Sequence, residues 1–300
     1  MVTLKFVTSF YVKSKYRNLN CAARQVSVAR TSITDDILLQ EEITQLFLNA
    51  IYLKLGVIII PRLLSNSLMT NTFSDNAQIR VVSSFSELVN SKFQGEMNAL
   101  CWHRNLVGDF KEILTKLELK QNITEVSVDD LLALTLSEHG NFAREIILND
   151  IQLLTDFGAS PALNLLKCYE RDDELDFIST DVYSFHIDRS PIETDTFLCT
   201  YHGAASDIVP NDQVEQKVLI PDIREKLKEL HDGPEAEFEA FLEEYFFDLH
   251  YQAKSNAKPV NLGLGHLWRL AVDHPTQQVL PCVHRAPVEK DGEYRLLLIC

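Results

Sequence analysis

Four residues in the last part of the chain have types and spacing that could do chemistry. His186 and Asp188 stand two apart in SFHID, residues 184–188. His284 follows in PCVHRAPVEKDGEYRLLL, residues 281–298, and Arg295 lies eleven positions beyond it. On a strand, residues i and i+2 point to the same face, so His186 and Asp188 can reach one ion. His284 falls on another predicted strand, and antiparallel pairing can bring it beside the first two. Two neutral imidazoles and one carboxylate on a single face of iron(II) leave three positions open. Those positions suit a bidentate co-substrate and oxygen. The Arg295 guanidinium can grip a co-substrate carboxylate in two parallel hydrogen bonds. Arg285, directly after His284, competes for that role. Tyr201 and Tyr169 can hydrogen-bond the same molecule. Zinc accepts the same three ligands and keeps one position open.

Each of these residues also has a duller reading. His186 alone reads as a core histidine, and Asp188 as a turn residue before Ser190-Pro191. His202 reads as a turn residue. His266 and His274 flank a stretch that Leu267 and Trp268 mark as packing. Trp102, His103 and Arg104 read as a packed strand end, and Cys282 as a neighbour of His284 with no third group to orient the pair. It is the late histidine and the arginine past it that raise the His-x-Asp pair above chance.

The elements that must position these residues change in kind along the chain. DDILLQEEITQLFLNAIYLKL, from Asp35, has a helical period with early acids. Pro61 and the polar run 65–76 mark a linker, so the chain divides into an N-terminal extension, 1–75, and a domain over 76–300. In that domain IRVV and MNALCW read as strands. FSELVN, GDFKEILTKLEL and NFAREIILNDIQLLTDFG read as helices, the last stopping at Gly158. Ser127 and Asp130 have the spacing of a capping box. After Pro161 the reading is strands: ALNLLKCY, VYSFHID, a half-buried TDTFLCTYHG with Phe197, Cys199 and Tyr201 on one face, VNLGLGHLWRLAV, VLPCVHRAP and EYRLLLIC. Two acidic helices, 221–231 and 234–250, each with Pro in the first turn, interrupt them. EKDGE carries the Asp-Gly signal of a hairpin between the last two strands. Helices first, then strands with a helical insert, make an α+β chain, with helices covering one side of a β-sandwich or barrel.

Bulk properties exclude some functions. The formal net charge of 300 residues is -15, which argues against a general nucleic-acid surface. The first 34 residues carry six Lys or Arg and no acid, the composition of a targeting presequence or of a basic tail. The six cysteines are scattered without a CxxC, which implies neither a disulfide framework nor a zinc knuckle and points to a reducing, cytoplasmic setting. The most apolar run, 47–64, is broken by Lys54 and Pro61, so no membrane span is expected.

His186-x-Asp188, distant His284 and Arg295, with the lead-in LLKCYERDDELDFISTDVYSFHID, make residues 160–300 resemble the iron(II)/2-oxoglutarate-dependent oxygenases. The resemblance implies a double-stranded β-helix core of the jelly-roll or cupin-like kind; the N-terminal helices are read from the periodicity, and the two-helix insert departs from the family. It implies iron(II) on His186, Asp188 and His284, 2-oxoglutarate held by Arg295, and hydroxylation of a C–H bond in a substrate it does not name, for which the acidic exterior favours a small molecule or a basic peptide segment. The turn after Asp188 departs from the family, being Arg-Ser-Pro rather than glycine-rich. LCWHR, FHID, CTYHG and the closing HRAP…RLLL also resemble an uncharacterised bacterial family over about residues 78–300. Two other readings stand beside the oxygenase: a metal- or ligand-binding β-helix protein without oxygen chemistry, and an interaction protein with a vestigial site.

Overall fold

The computed structural model describes residues 76–300 apart from Asp291. The basic leader, the helix from Asp35, the apolar run 47–64 and the linker expected at 65–76 lie almost wholly outside the described residues. The first four helices form where the sequence supplies both a cap and an apolar stripe. Ser84 caps α1 (Phe85–Asn90) and Asp109 caps α2 (Phe110–Lys116) by accepting from backbone N–H groups three residues on. Ser127 and Asp130 form the expected capping box on α3 (Val128–Ala133). The long α4 (Glu138–Phe157) begins at the Ser137 cap. It ends at Gly158, whose φ of 96° is open to glycine without cost.

Seven strands make the larger sheet, in the order β1 (Ile79–Val82), β2 (Ala99–Trp102), β11 (Leu267–Ala271), β6 (Asp195–His202), β13 (Arg295–Ile299), β4 (Ala162–Leu166) and β3 (Ile123–Val126). Only β1 and β2 run parallel. The smaller sheet is antiparallel throughout and orders β10 (Val260–Asn261), β7 (Asp207–Ile208), β12 (His284–Arg285), β5 (Phe185–His186), β9 (His250–Ala253) and β8 (Val214–Gln216).

The period of two along each strand sorts side chains into layers. On one face of the larger sheet Leu163, Leu165, Cys199, Tyr201, Leu296 and Leu298 pack with Leu88, Ile113, Ile147 and Leu154 of the helices. On the other face Leu166, Leu198, Trp268, Leu270 and Leu297 meet Ile208 and Cys282 of the smaller sheet. The two sheets therefore face each other across a shared interior, with helices behind the larger one. Phe185, Ile187, Val209 and Val283 form a separate cluster on the smaller sheet's far face. The acidic insert closes its own core around Phe238, Leu242 and Phe247, beside α5 (Pro221–Leu230) and α6 (Phe238–Glu244). The fold is α+β, dominated by antiparallel sheets.

Four local expectations are corrected. β6 is buried on both faces along Thr196–Tyr201 rather than half-exposed, because helices cover one side and the smaller sheet the other. The expected helix 234–250 is only α6 between two short 3-10 turns, and His250 opens a strand. The short strand β3 had no reading as a strand. Finally, β12 and β13 are not a hairpin. The chain passes from one sheet to the other between them, so β12 pairs with β5 and β7 while β13 pairs with β4 and β6.

Candidate metal centre

Strand register assembles the site. His284 stands directly opposite His186 across the β12–β5 pair, so both rings share one face. That face is the interior one, because His284 also stands opposite Ile208, which packs against the larger sheet. The two ring centroids are 4.5 Å apart. Asp188, just past β5, brings its Oδ2 to 3.6 Å from His284 Nε2. One ligand atom from each of His186, Asp188 and His284 falls within 4.8 Å of the others. Among the described residues no other group of three His, Cys, Asp or Glu does so.

The surroundings aim these atoms. His186 Nδ1 lies 2.8 Å from the Ser184 carbonyl, and His284 Nδ1 lies 3.2 Å from that of Cys282. In the tautomer that donates Nδ1–H to those carbonyls, both Nε2 lone pairs are free for an ion. Thr196 donates its hydroxyl to Asp188 Oδ2 at 2.5 Å. The loop is tied down further: Asp273 N–H donates to the Asp188 carbonyl, Ser190 N–H to that of Asp273, and Arg189 to the carboxylates of Asp248 and Asp273.

Electrostatics leave the trio ready for a cation. Burial, reinforced by His284, pulls His186 down to about 4, so its ring is neutral at pH 7. Burial raises the Asp188 carboxyl, but the two histidines and the Thr196 hydrogen bond outweigh it and hold it below the ordinary range. The Asp188 side chain keeps 38% of its surface exposed and that of His284 12%, so the site is reachable from solvent. A neutral imidazole and a carboxylate are the protonation states that metal binding requires.

Of the four residues expected to hold a co-substrate, Tyr169 packs against the inter-sheet cluster and hydrogen-bonds Arg295, and the other three go to three different places. Arg295 faces the same interior as the trio, because it opposes Leu166 on β4, a member of the inter-sheet cluster. It reaches that interior from the facing sheet, not from a strand beside β12. It is 2% exposed. Its Nη2 donates to Ser206 Oγ at 3.3 Å, while Nε and Nη1 are buried without a protein partner. Arg285 projects the other way from β12, donates to Asp207 Oδ2 at 3.0 and 3.2 Å and stacks on Phe185. Tyr201 lies on the helix-covered face, donating to Asp150 at 2.6 Å. Neither reaches the inter-sheet interior, because alternation along β12 and β6 sends both side chains to the opposite face. Cys282 does face the interior, but burial pushes its thiol pKa up, which removes it as a thiolate.

Several interior polar groups escaped the sequence reading. Thr200 and Asn164 both oppose Leu297 and so share Arg295's face. Thr200 Oγ1 and Asn164 Oδ1 are buried and unpartnered. His250 stands directly opposite His186 across β5–β9, hidden from the sequence by the helical reading of 234–250. Alternation within β6 could have pointed to Thr196 and Thr200, since the residues between them fill the helix-side core.

Among the described residues no helix is long and apolar enough to cross a membrane. No curated protein matches the chain, and no solved structure does. A family model does match, over residues 85–300, which takes in the trio, Arg295 and both sheets apart from β1. The chain therefore belongs to the family described as protein of unknown function, DUF1826.

Proposed function

We propose that this chain is an iron(II)- and 2-oxoglutarate-dependent oxygenase on a double-stranded β-helix, hydroxylating a small molecule or a peptide. The strand order supports the fold part of this reading. From β4 to β7 the chain alternates between the larger and smaller sheets, and from β10 to β13 it alternates again. Winding of that kind interleaves β4, β13, β6 and β11 in one sheet with β10, β7, β12 and β5 in the other. The resulting ends put the trio and the arginine on facing inner walls.

Arg295 carries the functional part. A buried guanidinium with two unpartnered N–H-bearing nitrogens is costly unless something outside the chain accepts from it. A carboxylate is the matching acceptor, and it fits bidentately. His186, Asp188 and His284 would hold iron(II), with Thr196 fixing the carboxylate and the Ser184 and Cys282 carbonyls fixing the rings. Arg295 and Ser206 would hold the far carboxylate of 2-oxoglutarate, and Thr200 and Asn164 line the inner wall of the same sheet. When bound, iron(II) would activate dioxygen, the oxidant: oxidation of 2-oxoglutarate to succinate and carbon dioxide would supply two electrons and take one oxygen atom into succinate, and the other oxygen atom would enter a substrate C–H bond.

The scattered cysteines, with no CxxC among them, support a cytoplasmic location. The test is anaerobic titration with iron(II) and then 2-oxoglutarate, followed by the weak visible charge-transfer band. The band is expected in wild type and absent in His186→Ala. No band in wild type sinks the reading. Tight zinc retention with no succinate formed on adding oxygen would favour a metal-binding protein without oxygen chemistry, since the same ligands suit zinc.

A further inference from the structure

The smaller sheet carries more than the two metal-ligand histidines on its inner face. His250, His186 and His284 stand directly opposite one another on β9, β5 and β12. The centroids of His250 and His186 are 5.9 Å apart. His250 is 4% exposed and its Nδ1 is buried without a protein partner. On its other side the β8–β9 register ends with Gln216 opposite Tyr251, and Lys217, the next residue, opens a 3-10 turn that packs against β9.

Lys217 is half-buried. Its ammonium donates to the Ser179 carbonyl at 2.9 Å and to Ser184 Oγ at 2.7 Å, both neutral acceptors. Among the described residues no carboxylate comes within ion-pair distance of it. The nearby Asp181 instead spends its oxygens on the backbone N–H groups of Asp172, Tyr183 and Ser184. Ser184 also receives His186 Nδ1 at its carbonyl, so Lys217, Ser184 and His186 form a connected line. A water can satisfy one orphaned nitrogen. It does not neutralise a half-buried ammonium.

We propose that His250 and Lys217 form a subsite for a carboxylate of the substrate, beside the metal ligand His186 and on the wall opposite Arg295. The name substrate rests on the oxygenase reading, whereas the carboxylate subsite rests on His250 and Lys217 alone. Arg295, on the facing sheet, would take the co-substrate and leave this second cation-and-imidazole pair to the other molecule. A carboxylic acid, or a peptide presenting an acidic side chain or C-terminus, is the class of substrate that fits. The overall acidity of the chain makes a lysine with no ion-pair partner, on whose charge Asp181 acts only from a distance, more discriminating, since a bare anion is repelled elsewhere.

The experiment uses the full chain, labelled at histidine nitrogens and loaded with zinc, with acetate as the probe and chloride at equal ionic strength as the control. The His250 ring signals, assigned with His250→Gln, are expected to shift saturably with acetate and not with chloride. Lys217→Met should weaken the apparent affinity at least tenfold while zinc content stays at the wild-type level. Arg295→Met should leave the shift in place. No saturable shift, an equal shift with chloride, or indifference to Lys217→Met overturns the proposal. So does loss of the shift in Arg295→Met, which would place the acetate at Arg295. Failure of the chain to take up zinc would count against the metal centre instead, and the acetate titration then reads the subsite in the metal-free chain.

Discussion

Two buried arginines sit on opposite faces of the larger sheet, and their surroundings differ in kind. Arg104, on the helix-covered face, donates to both carboxylate oxygens of Asp150 at 2.6 and 2.9 Å and from Nε to the Gly265 carbonyl at 2.9 Å. Asp150 is itself fully buried and accepts again from Tyr201. Burial lowers the Arg104 pKa, but Asp150 more than reverses it, so the guanidinium titrates above its ordinary value. Arg295, on the inter-sheet face, has no carboxylate within ion-pair distance among the described residues, and burial pulls its pKa down. Tyr169 and Glu289 offset only part of that burial. The first arginine is complete within the chain and serves the fold. The second has neutral partners in Ser206 and Tyr169 and keeps Nε and Nη1 without a protein acceptor. Partnership, rather than burial, separates the two cations.

Substitutions can break that contrast. Removing Asp150, by Asp150→Ala, leaves Arg104 and Tyr201 buried without their shared acceptor. We expect a loss of about 3–5 kcal/mol in denaturant unfolding. Arg295→Met is expected to act in the opposite sense on stability, leaving it unchanged or raising it by about 1–3 kcal/mol, because an unsatisfied cation disappears. The same variant should weaken 2-oxoglutarate binding about 100-fold in calorimetry, the scale of losing one partner of a desolvated charge pair. A strongly destabilised Arg295→Met would erase the distinction between the two arginines.

Smaller effects sharpen it. Thr196→Val should lower metal affinity by about 10–100-fold, as loss of a partner to a ligating carboxylate commonly does, with little change in the helix-side core. The pH dependence has a definite sign. Burial leads the causes that hold His186 and His266 near about 4 in the fold, against an ordinary 6.5. His250 is likewise held well below 6.5 by burial. Between those values the unfolded chain binds protons that the folded chain does not, so stability is full above about 6.5 and is lost as pH falls toward 4. Unfolding of the metal-free chain near pH 5 should take up on the order of two to three protons, measured from the slope of unfolding free energy against pH. Bound metal should shift that loss to lower pH, because it occupies His186 and leaves His266 untouched.

The sequence carried the candidate ligands more readily than their arrangement. His-x-Asp spacing and a strand period place two ligands on one face, and the capping box at Ser127 and the stop at Gly158 are local signals that the structure repeats. What decides whether Arg295 or Arg285 meets the site is which sheet β13 joins, and that follows from long-range pairing with β4 and β6. The Asp-Gly turn looked like a hairpin because turn chemistry is the same whether the two strands pair or part. His250 was hidden for a related reason. Residues 234–250 are acidic and aromatic at helical spacing, yet only α6 is helical, and the strand that follows is set by its partners β5 and β8. Tyr201 looked free for a ligand because nothing in TDTFLCTYHG announces a buried Asp150 on α4, 51 residues away.

The central claim is that the His186, Asp188 and His284 centre and the unpartnered Arg295 serve one ligand between the sheets. Calorimetric titration of 2-oxoglutarate into the chain, with manganese in place of iron to prevent turnover, tests it most directly. The account predicts one saturable site in wild type that depends on the metal, is lost in His186→Ala and is weakened about 100-fold in Arg295→Met. Binding that is indifferent to Arg295→Met, or that persists without metal and in His186→Ala, would contradict it.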